Sequence, residues 1–360
     1  MAKKVENMDL FVEQKHDYEN RFKFFYKNKK REIVPVEDED INKQAEQRLS
    51  FILKNYKDKL PKRFLDNWDI VKLYNPKGNV EKAKSLIIHV EDGAFDIENK
   101  LNHMTGKEWT IFTCSWFIFN ALPSDLKQEK QLLMGVEEHP ATFSPSMISN
   151  FVEFFTKEGA KVIDPFAGIG STLEACKRTG RIGYGIELNK KYFDIIKHRL
   201  PEFKNNIFND DCRNIDKLGL PSFDFSISSP PYWDVLNRST DGFKRDREEK
   251  GLDVNYSNSL LDLGNIDDYD VFLREVCSVY LKLYDLMNDG AYICIIVKNI
   301  KKNGKMYPLA WDIARELGKK YVLKDEKLWI QDEIGLSPYG YPFTWASNIL
   351  HHYCIILRKE

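Results

Sequence analysis

From Ser144 to the C-terminus the chain alternates between helix-patterned and strand-patterned stretches, and no other feature restricts its fold so tightly. "SPSMISNFVEFFTKEG" sets Met147, Ile148, Phe151, Val152 and Phe155 on one apolar stripe. Ser144 is its expected N-cap, Pro145 its first helical residue and Gly159 its stop. "KVIDPF" then reads as a buried strand, "STLEACKRTG" as a helix, "RIGYGIEL" as a strand and "NKKYFDIIKHRL" as a helix capped by Asn189. "NNIFNDD" and "FDFSIS" add two strands. Beyond a polar segment, 235–267, come the helix "YDVFLREVCSVYLKLYDLM", the strand "AYICIIVK" and the helix "YPLAWDIARELGKK". Two closing strands lie near 321–331 and 348–358. Parallel neighbours need crossover connections, so this order predicts an α/β fold with a doubly wound, Rossmann-like sheet. The last two strands lack an intervening helix and should pair antiparallel. Seven strands ending in an antiparallel hairpin are predicted.

Residues 1–105 have another texture, rich in Lys, Asp, Glu and Asn, and predict a mainly helical N-terminal region. Within it, "RFKFFYKNKKR" (21–31) is either a solvated face or an arm for phosphates. The formal net charge is only −1, so any basic surface must be local. Six scattered cysteines without a CxxC pair fit reduced thiols and predict neither a disulfide framework nor a metal site. The N-terminus lacks the apolar stretch of a signal peptide. "WTIFTCSWFIFNAL", the most apolar run, is too short and polar to span a bilayer. A cytoplasmic protein with no membrane partner is expected.

"VIDPFAGIGSTLEA" lies where the first strand of the alternation turns into a helix. Gly168 and Gly170 allow a tight turn and close ligand approach, and the helix start offers free N–H groups. Glu187 ends the next strand, from which a carboxylate can hold ribose hydroxyls. Dinucleotide sites use similar parts, but Leu173 stands where a third glycine belongs, and Asp164 would repel a pyrophosphate. A zwitterionic, sulfonium-bearing ligand tolerates such acids better. Asp211 can accept a hydrogen bond from an adenine amino group, or Asp210 and Asp211 can simply cap the strand end.

In this order, "DPFAGIGST", "GIEL", "NDD" and "SSPPYW" resemble the S-adenosylmethionine-dependent amino-methyltransferases of DNA, in their gamma-like motif arrangement. The resemblance covers roughly 109–358 and implies a methyltransferase domain over 106–360; residues 1–105, outside it, are expected to form a DNA-contacting or target-recognition region. It implies that Asp164, Phe166, Gly168, Gly170 and Ser171 line a pocket for S-adenosyl-L-methionine, with Glu187 on the ribose and Asp211 near the adenine. "HPATFSPSMI" resembles the segment that closes over the methionine end, which puts Thr142 and Phe143 there. Unlike the family, the chain has no large recognition region after the catalytic loop; only 235–267 and "QDEIGLSPYGYPFTW" remain for that purpose.

The lone pair of an exocyclic amine is delocalised into its ring, so methylating it requires acceptors that draw its N–H bonds out of plane. Ser229 Oγ and the Pro230 carbonyl are suited to that, and Pro230 and Pro231 stiffen the loop without adding competing N–H groups. Tyr232 offers a face for an extruded base, and Trp233 either extends that wall or packs in the core. No cysteine stands in "SISSPPYWD", which disfavours carbon-5 methylation. In the family, serine before the prolines goes with N4-cytosine more than N6-adenine enzymes, so an N4-cytosine DNA methyltransferase is expected. Adenine and RNA are the alternatives. Double-stranded DNA is the expected partner, together with a cognate restriction endonuclease or defence component. Lys298, Lys301, Lys302 and Lys305 of "VKNIKKNGK" are candidate phosphate contacts at the sheet's ligand edge. The segment 237–251 is either a loop closing over DNA or a surface insertion. His351 and His352 are expected to pack rather than to bind metal.

Overall fold

The computed structural model describes residues 24–27, 30, 32–35, 37, 39–68, 73–74, 87–90, 93–120, 143–233, 261–302, 304–331, 335–338 and 340–360. Thr142, the segment 237–251 and most of 21–31 lie outside them. The chain divides into two compact units, Met1–Ile111 and Phe112–Glu360.

In the first unit, β1 (Phe24–Lys27), β2 (Ile33–Pro35) and β3 (Leu73–Tyr74) form a small sheet, and β4 (Ile87–Val90) pairs with β5 (Gly93–Asp96). Among the described residues helices outweigh these strands, chiefly through α1 (Glu39–Tyr56), with the short α2 (Lys62–Leu65) and α3 (Gly106–Phe112) following. Ala45, Leu49 and Ile52 recur at helical spacing on α1 and pack with Phe64, Ile88, Phe95 and Ile97. Thr105 and Glu108 close the start of α3 reciprocally. The Thr105 amide donates to Glu108 Oε2 at 2.7 Å, and the Glu108 amide donates to Thr105 Oγ1 at 3.3 Å.

The second unit is built on an eight-stranded sheet. Its strands are β6 (Trp116–Ile118), β7 (Lys161–Asp164), β8 (Ile182–Ile186), β9 (Ile207–Phe208), β10 (Phe223–Ser228), β11 (Met287–Val297), β14 (Val322–Ile330) and β15 (His351–Arg358). In space they run β6-β14-β15-β11-β10-β7-β8-β9. Only β15 is antiparallel to its neighbours, pairing with β11 and with β14, where Trp329 faces His352. The seven predicted strands and their hairpin are all present. The eighth, β6, adds to the edge parallel to β14, with Leu328 opposite Trp116.

Crossovers are made by α4 (Pro145–Phe155), α5 (Ser171–Arg178), α6 (Lys190–Arg199), α7 (Tyr269–Leu286) and α8 (Leu309–Leu317), with the hairpin β12 (Ile300–Lys302)–β13 (Lys305–Tyr307) ahead of α8. On α7, Phe272, Val276, Val279, Tyr280 and Leu283 are fully buried at i, i+3 and i+4 steps, which turns that face onto β10 and β11. Asn189 caps α6 by accepting the Lys191 amide at 3.0 Å.

Strand order reverses between β7 and β10. Successive strands run outward from β7 through β8 to β9, and then the chain returns to lay β10 on the other side. Ligands of such sheets bind beyond the carboxyl ends of the strands at that switch point. Gly170 shapes the entry to α5, with φ of +88° and a hypothetical Cβ only 3.1 Å from Ile196 Cγ2. Gly170→Val is therefore expected to cost roughly 1–3 kcal/mol through strain and overpacking. Thermal unfolding checks this, and an unchanged melting temperature would contradict it.

Candidate functional site

A cleft occupies the switch point. Of the residues singled out in the sequence, Phe143, Asp164, Phe166, Gly168, Ser171, Glu187, Asp211, Ser229 and Pro231 line it. Gly170, Pro230 and Tyr232 do not, so Gly170 contributes backbone shape rather than a wall. Tyr192, Asp262 and Leu263 join the lining without having been read from the sequence, as does Asn189, which was read only as a helix cap.

The turn after β7 is held by its own acid. Asp164 is buried, and its Oδ1 accepts the Phe166 amide at 2.9 Å while Oδ2 accepts the Thr172 hydroxyl at 2.6 Å. Burial raises its pKa to about 6 against these two bonds. Glu187, just past β8, ties two loops together: Oε2 accepts the Gly168 amide at 2.8 Å and Oε1 the Asn189 amide at 2.7 Å. Burial dominates there too. It raises the carboxyl to about 8, opposed by the two amides and reinforced by the nearby charges of Asp164 and Asp262. Each carboxylate oxygen keeps a further lone pair that can accept from a ligand hydroxyl.

Asp211 is engaged more fully than the sequence suggested. It caps the turn Cys212–Lys217 by accepting the Arg213 amide at 2.9 Å, and it is clasped by the Arg213 guanidinium, with Nη2 at 2.6 Å from Oδ2. Its carboxylate thus works first as a cap and ion-pair partner, and Asp210 caps alongside by accepting the Asp211 amide at 2.7 Å.

Beyond β10, Ser228 Oγ shares a 2.7 Å hydrogen bond with the buried Tyr280 hydroxyl, which anchors the strand end to α7. Burial drives the Tyr280 phenol well above its usual range, so it stays protonated. Ser229 Oγ lies 3.4 Å from the Tyr232 hydroxyl, a long contact that leaves its acceptor capacity largely unused. Tyr232 is half-buried, 6.2 Å between ring centroids from His352. His352 stacks on Trp329 at 4.2 Å, and Trp329 in turn meets Phe143 at 5.4 Å. Burial lowers His352 to about 2, so this ring is a neutral packing element.

The open choice at Trp233 falls to core packing, and the expectation of a lysine patch needs correction. Trp233 is not a base-facing wall: it is 3% exposed, donates to the Asp267 carbonyl at 3.1 Å and packs between Tyr269 and Tyr307, bracing the loop from behind. The four lysines do not form one patch. Burial lowers Lys298, whose Nζ lies 3.4 Å from Gln331, and Lys302 sits over the Trp233 ring at 4.3 Å. Lys301 and Lys305 are exposed on the β12–β13 hairpin.

The lining has one electrostatic character. Asp164, Glu187, Asp211 and Asp262 face the cleft, and among the described residues no lysine, arginine or histidine lines it. A pyrophosphate would meet acids and no basic side chain in that lining, whereas a ligand carrying a sulfonium and an ammonium is complemented. Among the described residues no cluster of three or more His, Cys, Asp or Glu side chains is arranged for a metal ion, and no helix is long and apolar enough to cross a membrane.

Strand order and cleft together define a Rossmann-like doubly wound fold with a ligand cleft at its switch point. The family model N6_N4_Mtase, described as DNA methylase, matches residues 3–198, more than half of the chain. The chain belongs to this family. The match starts a hundred residues upstream of the motif resemblance and ends ahead of the SPPYW loop, whose reading rests on its own geometry. Among curated relatives, Type II methyltransferase M.HindIII of Haemophilus influenzae is 34% identical over 126 residues, 35% of this chain and 37% of that protein. Type II methyltransferase M.ScaI of Streptomyces caespitosus is 28% identical over 93 residues, 24% of this chain and 31% of that protein. The chain thus spans about a third of the length of these relatives. A solved methyltransferase from Pyrococcus furiosus is 14% identical with a TM-score of 0.39, covering 67% of this chain and 99% of that one. The fold assignment rests on the strand order rather than on that likeness. S-adenosyl-L-methionine is the methyl donor of this family, and the acid-lined cleft fits it.

Proposed function

We propose that the chain moves the methyl group of S-adenosyl-L-methionine onto the exocyclic amine of a base turned out of double-stranded DNA, and that the base is cytosine, methylated at N4. One observation carries this reading: the acid-lined cleft after β7 and β8 opens onto the Ser229–Tyr232 loop after β10. Serine at the head of that loop supports cytosine. The relatives' designation as Type II methyltransferases supports a place in restriction–modification.

When bound, the cofactor supplies an electrophilic methyl group on a sulfonium. The chain's own residues bring the amine to it. Ser229 Oγ, on the cleft wall, and the Pro230 carbonyl accept the two amine N–H bonds, which pulls nitrogen towards tetrahedral geometry and frees its lone pair. Pro230 is buried and Pro231 lines the cleft, so these acceptors are fixed before substrate arrives. The Tyr232 ring supports the base from one face. Glu187 holds ribose hydroxyls, and Phe143 covers the methionine end. Catalysis under this reading is positioning, with no covalent enzyme intermediate. Cys212, the cysteine of the cleft lining, is kept as an inert thiol because burial pushes its pKa well up, which opposes carbon-5 chemistry.

Incubation of the full chain with methyl-labelled cofactor and, separately, duplex DNA, RNA and protein tests the substrate class. Label in DNA is expected; label confined to RNA or protein would overturn the proposal. Tyr232→Ala is expected to weaken binding of a duplex with a mismatched target base by roughly 1–3 kcal/mol. Cofactor affinity should persist, because Tyr232 does not line the cofactor cleft. Fluorescence anisotropy checks this, and equal DNA affinity in variant and wild type would remove the stacking role.

A further inference from the structure

The connection between β14 and β15 carries an unusual group of exposed rings. Tyr341 is 81% exposed, Phe343 92% and Trp345 86%, with Leu336 beside them at 72%. Single exposed apolar residues are ordinary, but several large ones on one short loop mark an interaction surface. The loop is also built to hold its shape. Asn348 grips Ser337 twice, accepting its amide at 3.0 Å and donating to its carbonyl at 2.9 Å. The Phe343 and Thr344 amides both donate to the Gly340 carbonyl at 2.8 Å. Gly340 has φ of +79°, and a Cβ there would come within 2.3 Å of the Thr344 carbonyl oxygen, so only glycine can make this turn.

Its position and charge point to one occupant. The loop springs from Ile330 and His351, the last pair of the β14–β15 ladder, one residue beyond the Trp329–His352 stack against which Tyr232 lies. It therefore rises at the same strand ends as the catalytic loop. Residues 335–350, "GLSPYGYPFTWASNIL", contain no acidic side chain, while Asp332 and Glu333 precede them in the same connection. Lys301 on the neighbouring hairpin donates to the Ser347 carbonyl at 2.5 Å and stands 5.9 Å over the Trp345 ring. Rigid rings beside an exposed lysine suit a polyanion that offers unstacked π faces.

We propose that the stretch Gly340–Ala346 is a DNA contact, with Tyr341, Phe343 and Trp345 packing against bases unstacked beside the one delivered to Tyr232, and Lys301 holding the adjoining phosphate. This rests on the DNA methyltransferase reading above. Extruding a base leaves a gap in the stack, and an ordered aromatic wedge occupies such a gap at little entropic cost.

The test uses the full chain and the double variant Phe343→Ala/Trp345→Ala, whose side chains lie in solvent and do not support the core. The expected result is a rise of roughly tenfold or more in Kd for a target duplex, with melting temperature and cofactor Kd unchanged. DNA affinity within about twofold of wild type, an effect smaller than a single stacked base supplies, overturns the proposal. So does a wild-type dimer that the double variant dissociates at unchanged DNA affinity, because the rings would then meet a second copy. A wild type that neither binds nor methylates DNA fails the underlying reading instead, and is seen before any variant is made.

Discussion

Ser229→Ala is expected to lower kcat by roughly 10²–10³-fold, the usual loss when one preorganised partner of a developing transition state is removed. Cofactor affinity should stay nearly unchanged. The serine lines the cleft, but among the described residues its oxygen makes only the 3.4 Å contact to Tyr232. Tyr232→Phe is the control: it deletes that contact and keeps the ring, so turnover should persist. Pro230→Ala keeps a carbonyl but adds an N–H and loosens a buried corner of the loop, and should also slow turnover. Single-turnover methyl transfer, with calorimetry for the cofactor, separates these cases. Normal turnover in both Ser229→Ala and Pro230→Ala would remove the acceptor geometry from the mechanism.

The second large effect concerns Glu187. Burial raises its carboxyl to about 8, so in the empty cleft it is mostly protonated at neutral pH. A cationic ligand whose ribose hydroxyls donate to it favours the carboxylate. Binding at pH 7 is therefore expected to release a proton, and affinity should rise from pH 6 to about 8 before levelling. Glu187→Gln should weaken binding and flatten that pH dependence. Calorimetry in buffers of different ionisation enthalpy reads the proton directly; no proton release in wild type would move the ribose elsewhere. The same group affects the empty protein in the opposite sense. Its folded pKa lies above the unfolded value of 4.5, so between 4.5 and about 8 the unfolded chain binds fewer protons. Stability without cofactor should therefore fall as pH rises through that window, and less steeply in Glu187→Gln.

The parts of the site legible in the sequence were those made locally. The glycine turn, the acid after the second strand and the proline loop each sit at a strand's end, and the helix–strand alternation brings those ends to one edge. The antiparallel closing pair was legible for the same reason, since no helix separates its strands. What escaped depended on distant partners. Trp116–Ile118 is too short to pattern as a strand and becomes one only by adding to β14, more than two hundred residues away. Asp262 reaches the cleft from the far end of a polar segment whose sequence gives no sign of it. Trp233 was ambiguous because Tyr269 and Tyr307, which bury it, converge only in the fold. Asp211 is a different case: Arg213, two residues on, was visible in "NDDCRN", and its pairing could have been anticipated.

The central claim is that the Ser229–Tyr232 loop presents the amine of a cytosine to the methyl donor. It is tested most directly by digesting duplex DNA after reaction with the full chain and identifying the modified nucleoside by mass spectrometry. N4-methylcytosine, absent when Ser229→Ala replaces the wild type, is the predicted result. N6-methyladenine would contradict the assignment of the base, and 5-methylcytosine would contradict the mechanism itself.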